Sequence, residues 1–190
     1  MDEKQDKILE AALEVFLRYG FKKATMADIA EKAEMSRPSL YLVFSNKEEI
    51  FRAVMARKME IFQLEAQAKV EQCTGLEARM TAILHTWILE PYTMVINSPG
   101  AEDLLGFVQS FATDLRKEML GMIEAQLTAI IRSDPETDLT SAKAAGLEIE
   151  TVARVISYST TDLKYSVTDP EELEQLLAAT VKIYVSFFRG

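Results

Sequence analysis

Cysteine and histidine are almost absent from this chain of 190 residues, which has one of each, Cys73 and His85. A single cysteine excludes an intramolecular disulfide, and one histidine with one distant cysteine leaves a zinc or copper site short of ligands. Glycine (seven) and proline (five) are scarce, and long β-branched alternating runs and Asn-Gly turns are missing, which argues against a sheet-rich fold. No apolar run approaches the roughly 18–20 residues needed to cross a bilayer. The opening MDEKQDKILE also lacks the apolar stretch of a secretory signal, so a cytoplasmic protein with no membrane partner is expected. Neither a Ser-His-Asp arrangement nor a glycine pattern for nucleotide phosphates occurs, no spaced carboxylate pair stands out, and no cofactor or metal is implied. Positive charge is not in excess either: the net charge is −9.

What is present is ordinary globular composition, 48% hydrophobic and 27% charged, with apolar residues recurring at three and four. That pattern predicts an all-α chain. The charge is unevenly spread, since residues 1–60 hold 11 basic and 11 acidic side chains while residues 61–190 hold 10 and 19. Two functional regions follow, the first neutral and able to present a basic face if its acids point elsewhere.

A first amphipathic helix is predicted from about Lys4 to Tyr19, with Ile8, Leu9, Ala12, Val15 and Phe16 on one stripe and Gly20 at its C-cap. Three helix starts then crowd into residues 25–51: Thr25 with Asp28, Ser36, and Ser45 with Glu48. They frame two short helices, about Met26 to Ala33 and Arg37 to Val43, at the spacing of a helix-turn-helix. Leu40 and Phe44 anchor the second of these, leaving Arg37, Ser39, Tyr41 and Leu42 outward. Arginine can donate twice to guanine, serine can reach a base edge or phosphate, and a helix N-terminus favours phosphate oxygens. Pro38 in the first turn costs little and helps initiation.

Residues 8–54, ILEAALEVFLRYGFKKATMADIAEKAEMSRPSLYLVFSNKEEIFRAV, resemble the DNA-binding domain of the TetR/AcrR family of bacterial transcriptional repressors. The matching pieces are ILEAALEVF and the Gly-Phe after it, Thr25, Asp28-Ile29-Ala30, the Ala33–Ser36 turn, Leu40-Tyr41, Phe44 and SNKEE at 45–49. The resemblance implies that Thr25 caps the second helix and touches phosphate. It further implies that Arg37, Pro38, Ser39 and Leu42 face base edges, that Tyr41 gives its hydroxyl to a phosphate, and that Lys47 contacts the DNA backbone. Glu34 departs from the family's usual turn glycine, and Pro38 from another common glycine.

The remainder reads as a long helix from Asn46 to about Cys73, a possible mechanical link, then helices broken or kinked at Glu90-Pro91 and restarting after Ser98-Pro99. Met80, Leu84, Trp87, Phe107, Phe111, Met119 and Met122 are the candidate lining of a cavity for a small apolar effector. Cys73 reads as a passive thiol and His85 as a satisfied histidine. Residues 133–141 form a polar connection, and Asp169-Pro170-Glu171-Glu172 opens a last helix apolar on more than one side. The family pairs its last two helices in a four-helix bundle, which implies a homodimer on a palindromic operator.

The expected organisation is a helix-turn-helix DNA-binding domain at 1–48 and a ligand-binding and dimerisation domain at 49–190, about nine helices in all. The expected function is a ligand-responsive repressor. Two rivals stay open, an all-α enzyme or carrier for an apolar compound and a helical protein-interaction adaptor.

Overall fold

The structure, a computed structural model, describes residues 3–111 and 113–189, with side chains for all of these except residues 108–111 and 141. The described residues are helical, without a strand. In chain order the helices are α1 (Glu3–Lys23), α2 (Met26–Lys32), α3 (Arg37–Tyr41), α4 (Lys47–Gln72), α5 (Leu76–Leu84) and α6 (Glu90–Ile96). They continue with α7 (Ala101–Phe111), α8 (Thr113–Ser133), α9 (Thr140–Ala144), α10 (Ile149–Leu163) and α11 (Pro170–Arg189). A π-helical turn, His85–Leu89, joins α5 to α6 without a break. The chain therefore stays helical through Pro91, where the sequence suggests an interruption. Proline removes one backbone donor, and the wider turn immediately before it absorbs the lost bond. Among the described residues no helix is long and apolar enough to cross a membrane.

Two compact units divide the chain, residues 1–60 with 94–115, and residues 61–93 with 116–190. The first has α1, α2, α3, the start of α4 and α7 around one core, with Ile8, Phe16, Ile29, Leu40, Ile50 and Leu104 all buried. Burying each such side chain contributes about 1.5–3 kcal/mol. Phe21 lies at its centre, its ring centroid 3.6 Å from Phe107, 5.4 Å from Phe51 and 5.6 Å from Phe16. Gly20 has a positive φ (75°, with ψ 170°) that only glycine adopts readily, and it kinks α1 where the sequence predicts a helix end, one further helical turn following it. Gly100 crosses it so closely that a Cβ at Gly100 would stand 2.4 Å from the Gly20 nitrogen. The Gly100 amide donates to the Leu17 carbonyl (2.8 Å). Asp103 then accepts from the Lys22 amide at 2.7 Å and pairs with the Lys22 ammonium at 3.3 Å.

The second unit packs the α5 stretch and α10 against α11, burying Met80, Leu84, Trp87, Ile156, Leu177 and Phe188. Part of its polar interior is tied up: Trp87 Nε1 donates to Gln126 Oε1 (2.7 Å), and Gln126 Nε2 to the Gln63 carbonyl (3.0 Å). The Tyr92 hydroxyl donates to the Val167 carbonyl at 2.9 Å. Burial above all, with Asp169 and Glu172 adding to it, pushes the Tyr92 pKa up and keeps that donor protonated. Residues 133–141 carry the polar connection, whose end winds into α9; Asp138 donates its amide to the Phe188 carbonyl (2.6 Å).

Candidate nucleic-acid interface

The helix-turn-helix is assembled from local caps. Thr25 and Asp28 close a reciprocal box: the Asp28 amide donates to Thr25 Oγ1 (3.2 Å), and the Thr25 amide to Asp28 Oδ2 (2.9 Å). The Thr25 hydroxyl also donates to Asp28 Oδ2, at 2.6 Å, on an exposed face. Glu34 makes the turn with a left-handed φ of 55°, a conformation that a glycine would adopt freely. Its carboxylate accepts from Lys7 Nζ at 2.8 Å, and that bond, with the Lys7 charge, lowers its pKa.

Ser36 caps α3 by accepting the Ser39 amide (3.2 Å), and its hydroxyl donates to Ser39 Oγ (2.9 Å). Leu40 is the one buried side chain of α3 and pins it to the core. Everything else on the helix faces out or sits at the margin: Arg37 and Pro38 are exposed, Ser39 is half-buried, Tyr41 is 53% exposed and the following Leu42 84%. A leucine so exposed contributes nothing to the core of its own chain. Arg37 is the only charged side chain in α3, at its N-terminal end, where phosphate oxygens and base edges are also favoured.

Lys47 is placed differently. Its ammonium donates to the carbonyls of Phe21 (2.8 Å), Lys22 (3.1 Å) and Ala24 (3.1 Å) and lies 4.6 Å from the centroid of the Phe21 ring. All three of its protons are spent on the carboxyl end of α1. The start of α4 is capped one residue later than the Ser45 and Glu48 spacing suggests. Asn46 Oδ1 accepts the Glu49 amide, and Glu49 Oε2 accepts the Ser45 amide, both at 2.8 Å.

Of the residues expected to line an effector cavity, Met80, Leu84 and Trp87 are buried together in the second unit. The Trp87 to Gln126 bond brings this group to α8, which carries Met119, buried, and Met122, half-buried. Phe107 is elsewhere, stacked on Phe21 in the first unit. The side chain of Phe111 lies outside the described residues. His85 is half-buried in the π-helical turn, and Cys73 is free and partly exposed. Among the described residues no three potential ligands gather for a metal. Asp103, Gln126, and the Gly20 and Gly100 crossing carry no local signal, because each acts on residues 39 to 81 positions away.

Residues 8–54 match the family described as "Bacterial regulatory proteins, tetR family". The chain is 48% identical over 54 residues to the HTH-type transcriptional regulator YfiR of Bacillus subtilis (strain 168), covering 28% of this chain and 26% of that one. It is 42% identical over 86 residues to the HTH-type transcriptional activator FasR of Mycolicibacterium smegmatis, covering 45% and 39%. The match thus spans about a quarter to two fifths of these curated relatives. A TetR transcription regulator from Haloarcula marismortui shares the fold over 98% of both chains, with a TM-score of 0.73 at 20% identity. The family match covers α1 to α3 and the start of α4, the helices that frame the exposed face of α3, so residues 8–54 form a domain of the tetR family of bacterial regulatory proteins.

Proposed function

We propose that this protein is a DNA-binding transcription regulator that works as a homodimeric repressor in the cytoplasm and leaves a palindromic operator when a small, largely apolar molecule binds its second unit. The observation that carries the reading is α3 itself, a helix held by one buried leucine that turns Arg37, Pro38, Tyr41 and the neighbouring Leu42 to solvent. In this reading Arg37 and Ser39 meet base edges, Pro38 and Leu42 make apolar contact there, and Thr25 and Tyr41 bond phosphates. Lys47 serves the interface by fixing the end of α1 against the start of α4, and would reach a phosphate only by giving up one of its three carbonyls. Val155 and Tyr158 on α10 and Leu176 and Ile183 on α11 are exposed large apolar side chains. A second copy covering them would set two α3 helices on two half-sites. Release follows from differential affinity, the effector binding better to the dimer whose α3 spacing does not fit DNA.

The test is a gel shift with the DNA upstream of the protein's own gene, over a range of salt. Arg37→Ala and Tyr41→Phe should each weaken specific binding by about tenfold or more while circular dichroism stays unchanged. Unchanged affinity in both variants would remove α3 as the reading helix. No salt-dependent, sequence-selective shift at all would favour an interaction adaptor, and a ligand that tightens binding would replace the repressor by a corepressor-dependent or activating regulator.

A further inference from the structure

Four contacts define α8 and α10 as an antiparallel pair. Arg132 pairs with Glu150, Glu124 with Arg154 (3.0 Å), the Leu120 carbonyl accepts from Ser157 Oγ (3.0 Å), and Arg116 pairs with Asp162. One turn from the Leu120 and Ser157 rung, this register sets Arg116 opposite Thr161, with Lys164 a further turn along the same inner face of α10. At this end of the pair the donors outnumber the acceptors. Thr161 is fully buried and its Oγ1 has no hydrogen-bond partner, and the buried Nε of Arg116 has none either. Lys164 is half-buried, its ammonium 5.3 Å from the centroid of the Tyr165 ring and without a carboxylate in ion-pair range among the described residues. Burial chiefly, and then the Arg116 charge, hold the Lys164 pKa down at about 8; Asp162 pulls the other way. Burial likewise raises the Tyr165 pKa and keeps its phenol protonated. Unpaired buried donors are costly, and each calls for a partner.

We propose that Arg116, Thr161 and Lys164 form a binding site for the carboxylate of a small organic molecule. The charges select a monoanion: Asp162 neutralises one of the two cations and leaves one positive charge, whereas a dianionic phosphate would be repelled by the Asp162 carboxylate. The donors suit a carboxylate, whose two oxygens accept several charge-assisted bonds. The site is on the inner face of α10, away from exposed Val155 and Tyr158, so a second copy seated on those residues does not fill it. The inference rests on the regulator reading only in treating this anion as part of the effector.

The experiment is calorimetry and thermal shift on the full-length protein with straight-chain carboxylates from acetate to dodecanoate, each beside its primary alcohol, and with inorganic phosphate. At the chain length that fits, the carboxylate should bind at least about tenfold tighter than the alcohol, and Lys164→Met should abolish that preference while alcohol binding persists. Lys164→Arg should keep most of it. Lys164→Met should also raise the Tm of the ligand-free protein, because it removes a half-buried charge that the Arg116 charge opposes. No carboxylate preference at any length, a preference that survives Lys164→Met, or phosphate binding as tightly as the best carboxylate would each overturn the site. Carboxylate binding that requires Lys164 but leaves operator DNA bound would uphold the site and overturn the effector reading. Specific DNA binding without any carboxylate preference would overturn the site and leave the regulator reading standing.

Discussion

At the scale of single residues, Lys47 and Glu34 decide how the DNA-facing module is held. Lys47 closes the carboxyl end of α1 with three bonds to carbonyls that the helix leaves unpaired, and its charge suits the negative end of the helix dipole. Lys47→Met should therefore lower stability by about 1–3 kcal/mol in urea unfolding. The slope of log affinity against log salt should stay unchanged, whereas loss of a phosphate contact would reduce it by about 0.9. Glu34 strains a left-handed turn position and gains one exposed ion pair with Lys7. An exposed pair of this kind contributes little. Glu34→Gly should accordingly raise the Tm by roughly 2–4 °C in a thermal melt. The Thr25 and Ser36 caps were legible in the sequence because a cap acts over three residues. Lys47 was legible only as a lysine near a helix start, since its partners lie 23 to 26 positions earlier.

At the scale of elements, α7 belongs to the core of the DNA-facing unit. Phe107 stacks on Phe21, Gly100 crosses Gly20 backbone to backbone, and Asp103 bonds the last turn of α1. Burial alone would raise the Asp103 pKa, but the bonds from the Lys22 amide and side chain, the Lys22 charge and the Phe21 amide outweigh it and lower the pKa. A carboxyl whose folded pKa is depressed adds stability above its unfolded pKa, near 4, and loses it as pH falls through the folded value. Asp103→Asn should cost about 1–2 kcal/mol at pH 7, and the gap from the parent protein should close as pH drops below about 4, read by urea unfolding across pH. The helical period marks Phe107 as buried and does not say in which core. The π-helical turn was equally hidden, because Pro91 announces a lost donor but not whether the helix breaks or widens to accept it.

At the scale of the whole molecule, the unpartnered side chains of α10 and α11 and the acidity of residues 61–190 bear on assembly and on DNA. Ile183 is 66% exposed in a helix whose opposite side buries Leu173, Leu177, Val181, Val185 and Phe188. In a two-fold interface one substitution acts twice. Ile183→Asp should weaken the dimer at least about tenfold in analytical ultracentrifugation, and operator affinity should fall with it while helix content stays the same. With net charge −9 and none of the excess in residues 1–60, DNA affinity must come from a few placed groups and helix ends. A monomer carrying a single α3 would then hold an operator poorly.

The sequence by itself determined the all-helical class, the helix-turn-helix, its caps and the outward face of α3. Each of these follows from residue spacings of three, four or seven and from cap chemistry within one turn. Only the tertiary structure decided that α7 joins the core of the DNA-facing unit and that Lys47 spends its charge on α1. The same holds for Arg116, Thr161 and Lys164, which come together at one end of a helix pair. Those outcomes depend on which helix packs on which and in what register, and that is set by side-chain fit across tens of residues rather than by any local pattern.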